Sequence, residues 1–189
     1  MARLGKRPVE IPEGVKGKVE NNRIIIEGPK GKLEKEVLSY LKVEIIDNNK
    51  IFVKNIIPEE NRKLYKKGGE FQGLMRSLIK NMVVGVKDGY EKVLEIHGVG
   101  YKGEVKEKKL VLTLGFSHPI EIDIPFDVSV EVARNTVIFV RGIDKQRVSS
   151  FAAIVKKIAP PEPYKGKGIR YRGEYVRHKA GKAAVGTGQ

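Results

Sequence analysis

The sequence predicts an α+β protein: two tandem similar domains, each an antiparallel sheet covered by one helix, followed by a basic extended C-terminal tail. Three observations carry this. The chain repeats itself at an offset of 87 residues, each copy opens with short aliphatic runs broken by Gly, Asn and Pro, and each copy closes on one segment of helical period. The copies take residues 1–83 and 84–159, and the tail takes 160–189.

The repeat is plainest where VEIIDNNKIFVKN (Val43–Asn55) lies on VEVARNTVIFVRG (Val130–Gly142). The same offset lays RIIIEG on LVLTLG, so that Gly28 meets Gly115, and Leu33-Glu34 on Ile120-Glu121. Slipped by one residue, GVKGKV (Gly14–Val19) lies on GYKGEV (Gly100–Val105). One supersecondary unit present twice accounts for a match of this length.

Each copy begins as strands. Ile24-Ile25-Ile26 and Val111-Leu112 are aliphatic runs that each stop at a Gly. LKVEII alternates, with Leu41, Val43 and Ile45 on one face, and VSVEV does the same with Val128, Val130 and Val132. The breaks are short, which suits antiparallel hairpins and leaves no room for crossover helices. Each copy then turns helical. In the first, Leu64, Phe71, Leu74, Met75, Leu78, Ile79 and Met82 keep helical steps, with Pro58 as the expected start and an expected interruption at Gly68-Gly69. In the second, Asp144 is the expected cap, Val148, Phe151, Ala152, Val155 and Ile158 form the stripe, and Pro160-Pro161 ends it. Strands followed by one helix give a helix laid on a sheet. The domains are expected to meet near residue 83, through VVGV, without a Ser- or Pro-rich linker.

Composition narrows the function. Among 189 residues, 40% are hydrophobic, so most of the chain should fold. There is no Cys, which excludes disulfides and thiolate chemistry and suits an intracellular compartment. His97, His118 and His178 are too dispersed for a zinc site, and no metal is expected. The opening MARLGKRPVEIPEG has no apolar run behind its basic residues, and no window reaches the roughly 18 apolar residues of a span. A soluble protein with no membrane partner is expected.

Net charge is +14, and its placement points to a polyanion. Residues 1–83 hold 18 basic and 11 acidic residues, 84–159 hold 12 and 10, and 160–189 hold 7 and 2. The tail therefore has the highest net positive charge per residue. It interleaves Lys165, Lys167, Arg170 and Arg172 with Tyr164, Tyr171 and Tyr175, and it has Gly166 and Gly168 where a backbone can approach closely. Cations suit phosphates and tyrosines suit bases. Ile169 and Val176 alone cannot form a core, so the tail is expected to need a partner for order. No helix is available for a major groove, so structured RNA fits better than DNA.

HGVGYKGEV carries Gly98, Gly100 and Gly103 in the G-x-G-x-x-G spacing of a phosphate loop. A nucleotide-binding enzyme is the competing class. Against it, a strand rather than a helix is expected after the loop, and Gly14 and Gly17 occupy the same places in the first copy. A shared structural turn is the better reading. Ser149-Ser150 fall inside the second helix with no nucleophile elbow, so no catalytic set assembles. Two loops stand at matching places: GPKGK (Gly28–Lys32) is basic, whereas GFSHP (Gly115–Pro119) offers Phe116, Ser117 and His118, more than a turn needs.

PEPYKGKGIRY (Pro161–Tyr171), HGVGY (His97–Tyr101), LGFSHPIE (Leu114–Glu121), RLGKRPVEIPEGV near the start and IFVRGIDKQ (Ile138–Gln146) together resemble the bacterial large-subunit ribosomal protein six family (uL6-type) over essentially the whole chain. Family members often carry Arg where Ala159-Pro160 stand here, which removes one phosphate contact. The resemblance implies a duplicated α+β fold and binding to 23S rRNA, chiefly through the second domain and the tail. It implies a place near the stalk base, where translation factors dock, with other large-subunit proteins as neighbours in the cytoplasmic ribosome. It implies no catalysis and no cofactor. The RNA-contacting residues expected are Tyr164, Lys165, Gly166, Lys167, Gly168, Arg170, Tyr171 and Arg172, with Phe116, Ser117 and His118, and Lys156 and Lys157 at the end of the second helix.

Overall fold

The computed structural model describes residues 5, 7–46, 49–58, 60–179 and 181. The end of the expected tail, from Lys182 to Gln189, lies outside the described residues. Two compact units divide the chain: Met1–Tyr90 with Ile143–Lys145, and Glu91–Gly142 with Gln146–Gln189.

The first unit contains β1 (Val9–Glu10), β2 (Lys16–Glu20), β3 (Arg23–Gly28), β4 (Gly31–Glu36), β5 (Leu41–Ile46), β6 (Lys50–Asn55) and α1 (Arg62–Lys87). The expected sheet is split in two, with strand orders β1-β6-β5 and β2-β3-β4 and antiparallel neighbours throughout. Alternation sets the faces. Ile24 and Ile26 of β3, Leu41 and Val43 of β5, and Ile51 and Val53 of β6 point inward. They meet Met75, Ile79, Met82, Val83 and Val86 of α1 in one core.

Four details of α1 differ from expectation. Asn61 rather than Pro58 caps it, its side chain accepting from the Leu64 N–H. Gly68-Gly69 do not interrupt it, because Gly68 is buried against the Asn55 side chain, which itself donates to Tyr65 O (3.1 Å). Leu64 and Leu74, placed on the apolar stripe by spacing, are 49% and 51% exposed. The helix also runs past the boundary expected at 83, ending at Lys87.

The second unit contains β7 (Tyr90–His97), β8 (Lys102–Lys106), β9 (Lys109–Thr113), β10 (Ile120–Asp123), β11 (Val128–Ala133), β12 (Val137–Gly142), α2 (Lys145–Ile158) and β13 (Gly168–Tyr171). Its orders are β11-β12-β7-β13 and β8-β9-β10. β5-β6-β1 of the first unit thus corresponds to β11-β12-β7 of the second, and β2-β3-β4 to β8-β9-β10. β13 has no counterpart among the described residues of the first unit.

The structure corrects the alignment of the copies. Gly17 pairs with Ile26 and Gly103 with Leu112, an offset of 86 rather than 87. Burial agrees: Ile24 and Ile26 correspond to Leu110 and Leu112, not to Val111 and Thr113. A slip of one residue would have turned that strand inside out. Ile26 pairs with Leu33 and Leu112 with Ile120, so the extra residue of the second copy falls in the loop that holds Phe116–His118. A second one-residue extension precedes β8. Ile11 donates to Asn49 O and Ile96 to Thr136 O, which makes Ile11 and Ile96 equivalent at an offset of 85.

Candidate nucleic-acid interface

The two longer loops of the second unit meet. His97 ends β7, and the loop Gly98–Tyr101 brings the Tyr101 ring against Gly98 and Gly115: a Cβ on these glycines would lie 2.7 Å and 3.2 Å from the ring. Gly115 opens the Phe116–His118 loop. A third segment reaches the same end, because Gly168 of β13 pairs with His97 of β7. So the HGVGY loop, the GFSHP loop and the segment between α2 and β13 converge at one end of the unit. Val99 (93%), Phe116 (53%) and Tyr164 (55%) stand exposed on them, and Ser117 and His118 are exposed as well. Convergence of these loops could not be read from spacing. The exposed Val99 was missed altogether, and an aliphatic residue between glycines was the only available signal.

The segment after α2 departs from the extended tail that was expected. Pro160-Pro161 do end α2, but the chain then closes a tight loop, in which Gly166 N–H donates to Glu162 O (3.0 Å) and Glu162 N–H to Lys167 O (2.8 Å). The loop presents Tyr164, Lys165 and Lys167 to solvent. Gly168 must be glycine here, since its φ is +132° and a Cβ would lie 2.6 Å from Pro160 O. From Gly168 to Tyr171 the chain is an antiparallel strand on β7, and Ile169 is fully buried. One isoleucine cannot make a core, but it can complete one. The partner that orders these residues is the chain's own sheet.

This docking occupies several expected RNA contacts. Arg172 Nε donates to Glu95 Oε1 (3.0 Å) and the guanidinium lies 5.7 Å from the Phe139 ring. Lys156 Nζ donates to Glu174 Oε1 (2.5 Å) and sits 4.9 Å from the Tyr171 ring. Glu174 Oε2 also accepts from Tyr171 N–H (3.0 Å). Arg170 lies 3.5 Å from His97 Nδ1. The Lys156 ammonium, then the Tyr171 N–H, hold the Glu174 carboxyl below its usual range, and the Arg172 guanidinium does the same for Glu95, with His97 adding less. Arg170, Tyr171, Arg172 and Lys156 therefore fix the strand. Lys157, Lys165 and Lys167 have no ion pair among the described residues and are exposed.

The glycine loop joins β7 to β8, two strands, and no helix N-terminus follows it to hold a phosphate. Gly14 (φ +82°) and Gly100 (φ +77°) take the same left-handed turn in the two copies. Gly17 and Gly103 instead pack tightly, with aliphatic side chains 3.4 Å and 3.2 Å from where a Cβ would stand. Among the described residues no group of His, Asp and Glu could hold a metal ion, and no helix is long and apolar enough to cross a membrane.

Comparison with known proteins agrees with the duplication. Residues 11–89 and 97–172 match the family model described as ribosomal protein L6. A protein of Caldicellulosiruptor saccharolyticus is 47% identical over 186 residues, covering 98% of each chain. One of Dictyoglomus thermophilum is 47% identical over 184 residues, 97% of this chain and 98% of its own. One of Thermotoga petrophila is 45% identical over 188 residues, 97% of this chain and all of its own. All three carry the name large ribosomal subunit protein uL6.

Proposed function

The chain belongs to the ribosomal protein L6 family, and from that footing we propose that it is a structural constituent of the large ribosomal subunit, holding 23S rRNA mainly through its second unit. The family is one of structural ribosomal proteins, not of enzymes. The observation that carries the RNA reading is the convergence of three loops at one end of that unit. There Tyr164, Lys165 and Lys167 are exposed beside the HGVGY and GFSHP loops, on a segment whose other cations are already committed to anchoring it. Lysine ammoniums neutralise phosphates, while Tyr164 and Phe116 offer flat apolar faces to unstacked bases or sugars. Gly166, at φ +68° with its N–H donating to Glu162 O, shapes the loop that carries Tyr164, Lys165 and Lys167. Lys157, exposed at the end of α2, extends the basic surface.

The chain would then sit in the cytoplasmic ribosome near the stalk base, close to the site where translation factors dock and among other large-subunit proteins, as the sequence resemblance implies. Chemical footprinting of 23S rRNA with and without the protein tests this. Protection that the wild type gives and that Tyr164→Ala with Lys165→Ala and Lys167→Ala loses is the expected outcome. Protection unchanged in the triple variant would overturn the assignment of these residues.

A further inference from the structure

We propose that the first unit carries an RNA-backbone site of its own, the open cleft between β1 and α1. The proposal rests on the RNA-binding reading above and extends it to a surface that reading does not use.

The duplication identifies the cleft. Ile11 and Ile96 are equivalent by their hydrogen bonds, so Glu10 of β1 corresponds to Glu95 of β7. In the second unit the outer edge of β7 is covered by β13, and Glu95 is paired with Arg172 just beyond that strand. In the first unit no strand covers β1 among the described residues, and Glu10 has no ion pair among them. What remains is an open cleft of about 640 Å³ between β1 and the second half of α1.

Its charge selects the occupant. Arg7, Arg76, Lys80 and Lys87 line it against Glu10 and Asp88. Arg76 is held in place, with Nε donating to Arg7 O (2.7 Å) and one terminal nitrogen donating to Pro8 O (3.3 Å). Lys80 and Lys87 have no ion pair among the described residues. A basic strand like β13 would meet an excess of like charge here, whereas a phosphate backbone would be attracted. The surface continues along the helix. At 3.6 residues per turn Arg62, Lys66, Arg76, Lys80 and Lys87 fall within about 80° of arc, with no acidic residue among them. The chain at Gly5 crosses this face at Gly73, where a Cβ on Gly5 would lie 3.2 Å from the Gly73 nitrogen. Like charges on one helix face repel each other, and a polyanion relieves that repulsion.

The absence of cysteine gives a clean test. Ser77 is exposed and lies between Arg76 and Lys80 in sequence, so Ser77→Cys in the full chain can carry a tethered iron–EDTA probe, with Tyr164→Cys as the companion. Bound to 23S rRNA, both probes should cut the RNA, at different positions. The double variant Lys80→Gln/Lys87→Gln should also lower the log–log salt slope of RNA binding by about 1.4–1.8, at about 0.7–0.9 per phosphate contact, without moving the unfolding midpoint. Cuts from position 164 with none from 77 and an unchanged slope would overturn the proposal while leaving the function intact. Cross-linking of position 77 to another ribosomal protein in the subunit, without RNA cuts, would give the cleft to a protein and overturn it equally. No cuts from either position would remove the RNA reading itself.

Discussion

Replacing Ile169 by alanine separates two pictures of the residues after α2. If they were an electrostatic appendage, the change would cost almost nothing. The structure instead buries Ile169 completely, on a strand paired through four residues with β7. Removing three carbons from such a site costs about 2–5 kcal/mol, a lost transfer term plus the cavity left behind. At 1.4 kcal/mol per tenfold that is roughly a 30-fold or larger drop in the folding equilibrium of the second unit. Chemical denaturation of the full chain, followed by far-ultraviolet circular dichroism, reads the effect. Two units can give two transitions, and the later residues belong to the second, so only that transition should move. Val176→Ala, at a half-buried position outside any strand, is the control and should move it far less. RNA affinity of Ile169→Ala should fall as well, because the loop bearing Lys165 and Lys167 loses its anchor. A shift under about 0.5 kcal/mol, within the range of ordinary surface changes, would refute the packing argument. For the same reason truncation at Ala159 is expected to destabilise the unit and not merely weaken RNA binding.

Removing Lys165 and Lys167 together should flatten the salt dependence of RNA binding by about 1.4–1.8 in log–log slope, whereas Tyr164→Ala should cost about 1–3 kcal/mol of affinity with the slope unchanged; a salt series on a 23S rRNA fragment distinguishes them. Acid should loosen the docked strand. Glu174 and Glu95 have carboxyls lowered in the folded protein, so their contribution is present above the ordinary carboxylate value and is lost as pH falls through the lowered one. Amide exchange at Ile169 and Arg172, whose N–H groups donate to Ala159 O and Val93 O, should rise below about pH 4 relative to β12 amides, and Glu174→Gln should raise it already at neutral pH. A chain divided after Tyr90 should give a cooperatively melting first unit, while division after Met82 should not, since it removes Val83 and Val86 from the core; calorimetry on the two fragments decides between them.

Much of this protein is legible in its residues. Strand alternation at Leu41-Val43 and Val128-Val130, the helical stripes from Phe71 to Met82 and from Val148 to Val155, the duplication and the family signature are all local or pairwise properties of sequence. The basic segment around Lys165 and Lys167 is likewise written in composition, and these residues are exposed as expected. Three features were decided only by tertiary structure. The one-residue extensions beside Gly98 and Gly115 are small changes in sequence, and only strand register shows that they place two longer loops around Tyr101. The commitment of Arg170, Arg172 and Lys156 to anchoring β13 depends on acceptors as distant as Glu95 and His97, and a charged residue's composition does not reveal whether a carboxylate awaits it in the fold. The open edge of β1 shows only by comparison with the second copy, which closes the equivalent edge with β13, a strand that has no counterpart among the described residues of the first. Hydrophobic period fixes which residues face inward, because it acts over a few residues. Which edge a strand finds is set by the free energy of burying Ile169 against a core assembled from segments far away in the chain.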